Sequence, residues 1–85
     1  MPVVKLFANL RKLAGTKEIT ITGPTIGAVM NELVRQSPAL DGVLLENGNL
    51  RPHVIVTLNG RNTSDLSQQV TEQDEIAIFP PIAGG

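Results

Sequence analysis

The chain has 85 residues, of which 41% are apolar and 18% charged, with seven basic against eight acidic side chains and a formal net charge of −1. That length holds one domain with one modest core, and the composition is that of a folded chain, which excludes a second domain and a disordered polymer. The near-neutral balance lacks any Lys/Arg run, and Phe7 and Phe79 are the sole aromatic residues, so neither the positive field nor the stacking platform of a nucleic-acid binder is present. There is no cysteine, hence no disulfide, thiolate metal site or cysteine nucleophile.

Residues 3–7, Val-Val-Lys-Leu-Phe, read as a first strand, with Val4 and Leu6 facing one way and Lys5 and Phe7 the other. From Ala8 to Gly15 the pattern suits a short turn of helix or an irregular crossing. Lys17–Thr22 alternates again and reads as a second strand, broken by Gly23-Pro24. Thr25 is a candidate N-cap, and Ile26, Val29, Met30, Leu33 and Val34 form one helical stripe opposite Asn31, Glu32 and Arg35. Pro38 disfavours helical geometry at Ser37, so this helix is expected to end near Gln36.

The stretch 39–52 carries Leu40, Val43, Leu44 and Leu45 ahead of an Asn47-Gly48 turn and is expected to close one end of the core. His53–Leu58 reads as a strand with Val54, Val56 and Leu58 directed inward, followed by the Asn59-Gly60 hairpin signal and a partner strand from Arg61 to Thr63. Leu66 and Val70 are expected to plug the core within a polar stretch. Ile76–Phe79 forms the last strand, after which come Pro80, Pro81, Ile82, Ala83, Gly84 and Gly85. The order β-β-α-β-β-β with one amphipathic helix predicts an α+β two-layer domain.

That order resembles the β-grasp fold of ubiquitin-like proteins, a mixed sheet of four to five strands with one main helix on one face. More narrowly, the segments LFANLRKLAG (6–15), TIGAVMNEL (25–33), HVIVTLNG (53–60) and DEIAIFPPIAGG (74–85) are similar to the MoaD/ThiS family of sulfur carriers. The last segment is the most specific, since two terminal glycines arise by chance in roughly 0.5% of chains at average glycine usage. The resemblance implies a β-grasp domain over residues 1–79 and a flexible tail over 80–85. It also implies that the chain is not itself an enzyme and binds no cofactor. An ATP-consuming, E1-like adenylyltransferase and sulfurtransferase would activate the carboxylate of Gly85 and convert it to a thiocarboxylate.

The tail residues suit that chemistry. Gly84 and Gly85 have no Cβ, so this backbone can enter a narrow channel, and Pro80 and Pro81 restrict its base. Six extended residues reach roughly 20 Å at about 3.3 to 3.6 Å each. Ile82 and Ala83 complete the probe. Phe7, Ile55, Ala77 and Phe79 share the parity opposite the helix-packed face, which leaves two readings open: an exposed patch that docks partners together with Pro80 and Pro81, or core residues if the parity is reversed.

Other candidates have plainer explanations. His53 lacks paired ligands at metal spacing and reads as a strand-entry residue, with no metal expected. Asp74 and Glu75 would point to opposite faces of a strand, so turn solvation accounts for them better than a catalytic carboxylate pair. Arg11 and Lys12 suit a solvated loop, with contact to an acidic partner surface as the alternative.

The FPP lead-in and the LFANLRKLAG opening resemble the small subunit of molybdopterin synthase, whose tail inserts into the large subunit. TIGAVMNEL and LRPHVIVTLNG (50–60) are also similar to carriers that donate sulfur to a cysteine synthase. Thiamine-type carriers are usually shorter and lack a counterpart of residues 39–52. A rival class is a protein modifier joined through Gly85 to substrate lysines, and a plain structural adaptor is a third. With neither an apolar leader nor a bilayer-length apolar run, the chain is expected to be cytoplasmic and to have no membrane partner.

Overall fold

A computed structural model describes residues 2–80. The elements are β1 (Val3–Leu6), α1 (Leu10–Ala14), β2 (Glu18–Thr20), α2 (Ile26–Gln36), a 3₁₀ turn (Pro38–Leu40), β3 (Leu45–Glu46), β4 (Asn49–Leu50), β5 (Ile55–Leu58), β6 (Arg61–Thr63) and β7 (Glu75–Phe79). Five strands form one sheet in the order β2-β1-β7-β5-β6. β1 and β7 run parallel while the other three pairs are antiparallel, so the sheet is mixed, as the β-grasp resemblance implied. The last strand is thereby the central one. The expected division after Phe79 falls at the end of β7; of the proposed tail only Pro80 lies within the described residues.

Alternation explains the layers. Val4, Leu6, Val56, Ile76 and Ile78 all point to one face and are at most 1% exposed. α2 covers them with Ile26, Val29, Met30 and Leu33, each likewise buried. Leu10, Ile21, Leu40 and Leu44 seal the margins, Val70 is 9% exposed and Leu66 packs partly buried against the same cluster. Each large aliphatic side chain so enclosed stabilises the fold by about 1.5 to 3 kcal/mol relative to exposure. No polar side chain is buried with them among the described residues.

The helix ends where its sequence dictates. Thr25 has extended backbone (φ −138°, ψ 164°), and its hydroxyl oxygen accepts a hydrogen bond from the Ala28 N–H at 3.1 Å. Two further amides of the first turn, on Ile26 and Gly27, donate to the carbonyls of Gln68 (2.9 Å) and Leu66 (2.8 Å). The helix start is thus capped by its own protein, and a Cβ at Gly27 would lie 3.0 Å from the Leu66 carbonyl oxygen. At the other end Ser37, held out of helical geometry by Pro38, closes the helix after Gln36. On its exposed side Glu32 accepts hydrogen bonds from Arg35 and Gln36. Those bonds, the one from Arg35 foremost, hold its carboxyl down at about 2.

Some sequence expectations need correction. Of the two readings of 8–15 the helical one holds, over Leu10–Ala14 alone, approached through Ala8 at φ +54° and left through Gly15 at φ +77°. The second strand is confined to Glu18–Thr20, although Ile21 remains in the core. The stretch 39–52 does more than close the core: it contains the two-residue strands β3 and β4, joined at Asn47-Gly48 in the left-handed geometry (φ +55°, +80°) that a tight hairpin requires. His53 does not enter a strand. It occupies the turn before β5, at φ +70°.

Candidate functional site

The open face of the sheet is built by the alternate residues of the same strands. Because β7 is central, Phe79 emerges beside both neighbours: its Cα pairs with Ile55 on β5, and the Phe7 amide donates to the Ile78 carbonyl oxygen at 3.3 Å. The Phe7 and Phe79 rings stack with centroids 4.4 Å apart and planes inclined by 14°. Both are half-buried, whereas Ile55 alongside is 46% exposed. Of the two readings of parity, the outward one holds for Phe7, Ile55 and Phe79. Ala77 shares that face but is only 9% exposed, flanked by its cross-strand neighbours Lys5 and Thr57, and so adds little to the surface.

Arg11 is not a merely solvated loop residue. Its Nε donates to the Leu6 carbonyl oxygen at 2.8 Å, and its guanidinium lies 5.4 Å from the centre of the Phe7 ring. The side chain therefore ties α1 to the end of β1 and places a permanent cation at the rim of the apolar patch. Phe7 lies outside α1 and Ala8 between them takes φ +54°, so no helical spacing in the sequence signals this contact. Lys12 is exposed. Further along the same face Lys5 and Glu75 form an ion pair at 3.5 Å, a solvent-screened contact of small energetic weight.

Asp74 lies just before β7, and Glu75 is the first residue of that strand. Asp74 accepts hydrogen bonds from the Thr71 N–H (2.7 Å) and from Asn59 Nδ2 (2.9 Å), while Asn59 Oδ1 accepts from the Glu75 N–H at 2.8 Å. The Thr71 amide first, then Asn59, holds the Asp74 carboxyl below its ordinary value of 3.8. This carboxylate fastens the β5–β6 turn to the start of β7. In the sequence the Asn59-Gly60 pair signals only the turn, not this clamp.

Pro80, half-buried, follows directly on the patch. Pro81, Ile82, Ala83, Gly84 and Gly85 lie outside the described residues. Among the described residues no cluster of three His, Asp or Glu side chains is suited to a metal ion, and no helix is long and apolar enough to cross a membrane. What the described geometry offers is an apolar surface of modest size, with a cation at its edge and the central strand leading out of it toward the C-terminus.

Comparison with known proteins identifies the family and the fold. Residues 4–85 match the model of the ThiS family. The chain is 35% identical to small archaeal modifier protein 3 of Haloferax volcanii, with 96% of each chain covered. It is 39% identical to the molybdopterin synthase sulfur carrier subunit of Arabidopsis thaliana, over 96% of this chain and 80% of that one. The solution structure of small archaeal modifier protein 1 from Methanosarcina acetivorans superposes with a TM-score of 0.89 at 36% identity, covering 99% of this chain and 95% of that one. The chain belongs to the ThiS/MoaD family of ubiquitin-like, β-grasp sulfur carriers.

Proposed function

We propose that this protein is a non-catalytic carrier whose reacting group is the α-carboxylate of Gly85. An E1-like enzyme adenylates that carboxylate with ATP. A persulfide sulfur then attacks the activated carbonyl carbon and AMP leaves, giving an acyl disulfide. A second thiol of the activating enzyme attacks the enzyme-side sulfur, the S–S bond breaks with formation of an enzyme disulfide, and the thiocarboxylate is released to donate sulfur in molybdopterin biosynthesis. Adenylation is needed because a carboxylate oxygen is a poor leaving group and AMP is a good one. The observation that carries this reading is the Gly84-Gly85 tail on a family match that extends through residue 85.

In this reading Phe7, Ile55 and Phe79, with Pro80 and Pro81 at the tail base, dock the activating enzyme and then the large subunit of the synthase. Ile82, Ala83 and Gly84 thread the terminus into each active site. Burying a rigid aromatic pair costs little side-chain entropy, which suits a surface that must bind and release. The test is intact mass after incubation with ATP, a sulfur source and the E1-like enzyme. A gain of roughly 16 Da, sulfur replacing oxygen, that disappears when Gly85 is deleted supports the carrier. No gain with an enzyme active on its own carrier contradicts it.

A second reading, conjugation through Gly85 to lysines of other proteins, draws support from relatives named as modifiers at 35% identity. Activation is shared between the two readings and only the final nucleophile differs. The last basic residue is Arg61, so trypsin would leave residues 62–85 attached to a modified lysine. Detection of that long remnant favours the modifier, and its absence from cells that contain activated protein favours the carrier.

A further inference from the structure

The chain contains two Asn-Gly pairs, Asn47-Gly48 and Asn59-Gly60, and both close two-residue hairpins with nearly the same backbone, at φ +55° and +53° for the two asparagines. Asn-Gly is the sequence in which the following backbone nitrogen most readily reaches the side-chain carbonyl carbon, because glycine presents no side chain to obstruct it. Both asparagines are exposed, so access to water does not distinguish them. Their surroundings do.

Asn59 is held at both ends of its carboxamide, Nδ2 by Asp74 and Oδ1 by the Glu75 amide, and its hairpin is paired through β5 to the central strand of the main sheet. The Asn47 side chain makes no hydrogen bond among the described residues, and its hairpin consists of two residue pairs, Leu45 with Leu50 and Glu46 with Asn49. So short a ribbon opens locally at far lower cost than the five-stranded sheet.

We propose that Asn47 is a site of spontaneous deamidation in the folded protein and that Asn59 is protected from the same reaction by its clamp. In this reaction the Gly48 backbone nitrogen, having lost its proton to base, bonds to Asn47 Cγ, and the Cγ–Nδ2 bond breaks to release ammonia. Water then opens the resulting succinimide to aspartate or isoaspartate. No oxidant or reductant is required. The product carries one more negative charge beside Glu46, and the isoaspartate form adds a backbone methylene to a hairpin whose Leu45 is 9% exposed against the core.

The test is to hold the folded protein in mildly alkaline buffer and follow both sites by fragmentation mass spectrometry. Conversion to isoaspartate is scored independently by methylation with a protein isoaspartyl methyltransferase. Asn47 is expected to convert on the order of tenfold faster than Asn59, or more. In denaturing urea the two rates should become similar. Asp74→Ala should raise the Asn59 rate and leave Asn47 unchanged. Equal rates in the folded protein, a preference that persists in urea, or a parallel rise at both sites in Asp74→Ala would each overturn the proposal.

Discussion

The two faces of the main sheet are built by the same strands and differ in what covers them. On the helix side Val4, Leu6, Val56, Ile76 and Ile78 are closed off from water, and the chain has no choice but to keep them apolar and well packed. On the open side Phe7, Phe79 and Ile55 cover one another only in part, beside an Arg11 cation and a Lys5–Glu75 ion pair. One residue step along β7 separates Ile78, closed in the core, from Phe79, on the open face. The comparison teaches that hydrophobic character alone does not assign a residue to the core; its parity does.

The largest effect is expected from the closed face. Ile78→Ala should cost about 2 to 5 kcal/mol through lost burial and the cavity left behind. In a domain of this size that corresponds to a fall in melting temperature of roughly 4 to 8 °C for each kcal/mol. A smaller loss, about 1 kcal/mol, is expected for Thr25→Ala, which removes the hydroxyl that caps α2, and chemical denaturation would register it. If Ile78→Ala proved as mild as Thr25→Ala, the helix-side layer would not be the core that its burial indicates.

On the open face the energetic stakes drop further. Arg11→Ala removes one hydrogen bond to the Leu6 carbonyl and one exposed cation–π contact, together about 1 kcal/mol or less. Its larger expected consequence is weaker docking of an activating enzyme, measured by titration calorimetry.

The mildest prediction concerns acid. Asp74 has a folded-state carboxyl below 3.8, so its contribution to stability is fully present above that value and is lost as pH falls through the lower folded one. The melting-temperature difference between wild type and Asp74→Ala should therefore be constant near neutrality and close at strongly acidic pH. Glu32 titrates in both proteins and cancels from the difference. A gap that persists unchanged to low pH would show that Asp74 acts there without its charge.

Much of this arrangement was legible in the sequence because alternation and helical periodicity are local. Val54-Val56-Leu58 and Ile76-Ile78 declare their inward parity, Thr25 and Pro38 bound α2, and the two Asn-Gly pairs mark their hairpins. The parallel pairing of β1 with β7 joins residues about seventy positions apart, and no local pattern encodes it. Without that pairing the central place of β7, and hence the stacking of Phe79 on Phe7, stayed an open choice of parity. The settings of His53 and Arg11 are hidden from the sequence for a related reason. A positive φ before β5 and a guanidinium folded over an aromatic ring arise from tertiary placement, which composition at those positions does not report.

The most direct test of the division between the faces is one substitution scored in two ways. Phe79→Ser should keep a cooperative melting transition close to that of wild type, losing about 1 kcal/mol or somewhat more from the stacked pair, while the rate of ATP-dependent mass gain with the E1-like enzyme falls on the order of tenfold or more. A collapse of the melting transition, or full activation by an enzyme indifferent to the missing ring, would contradict the assignment of this face to partner docking.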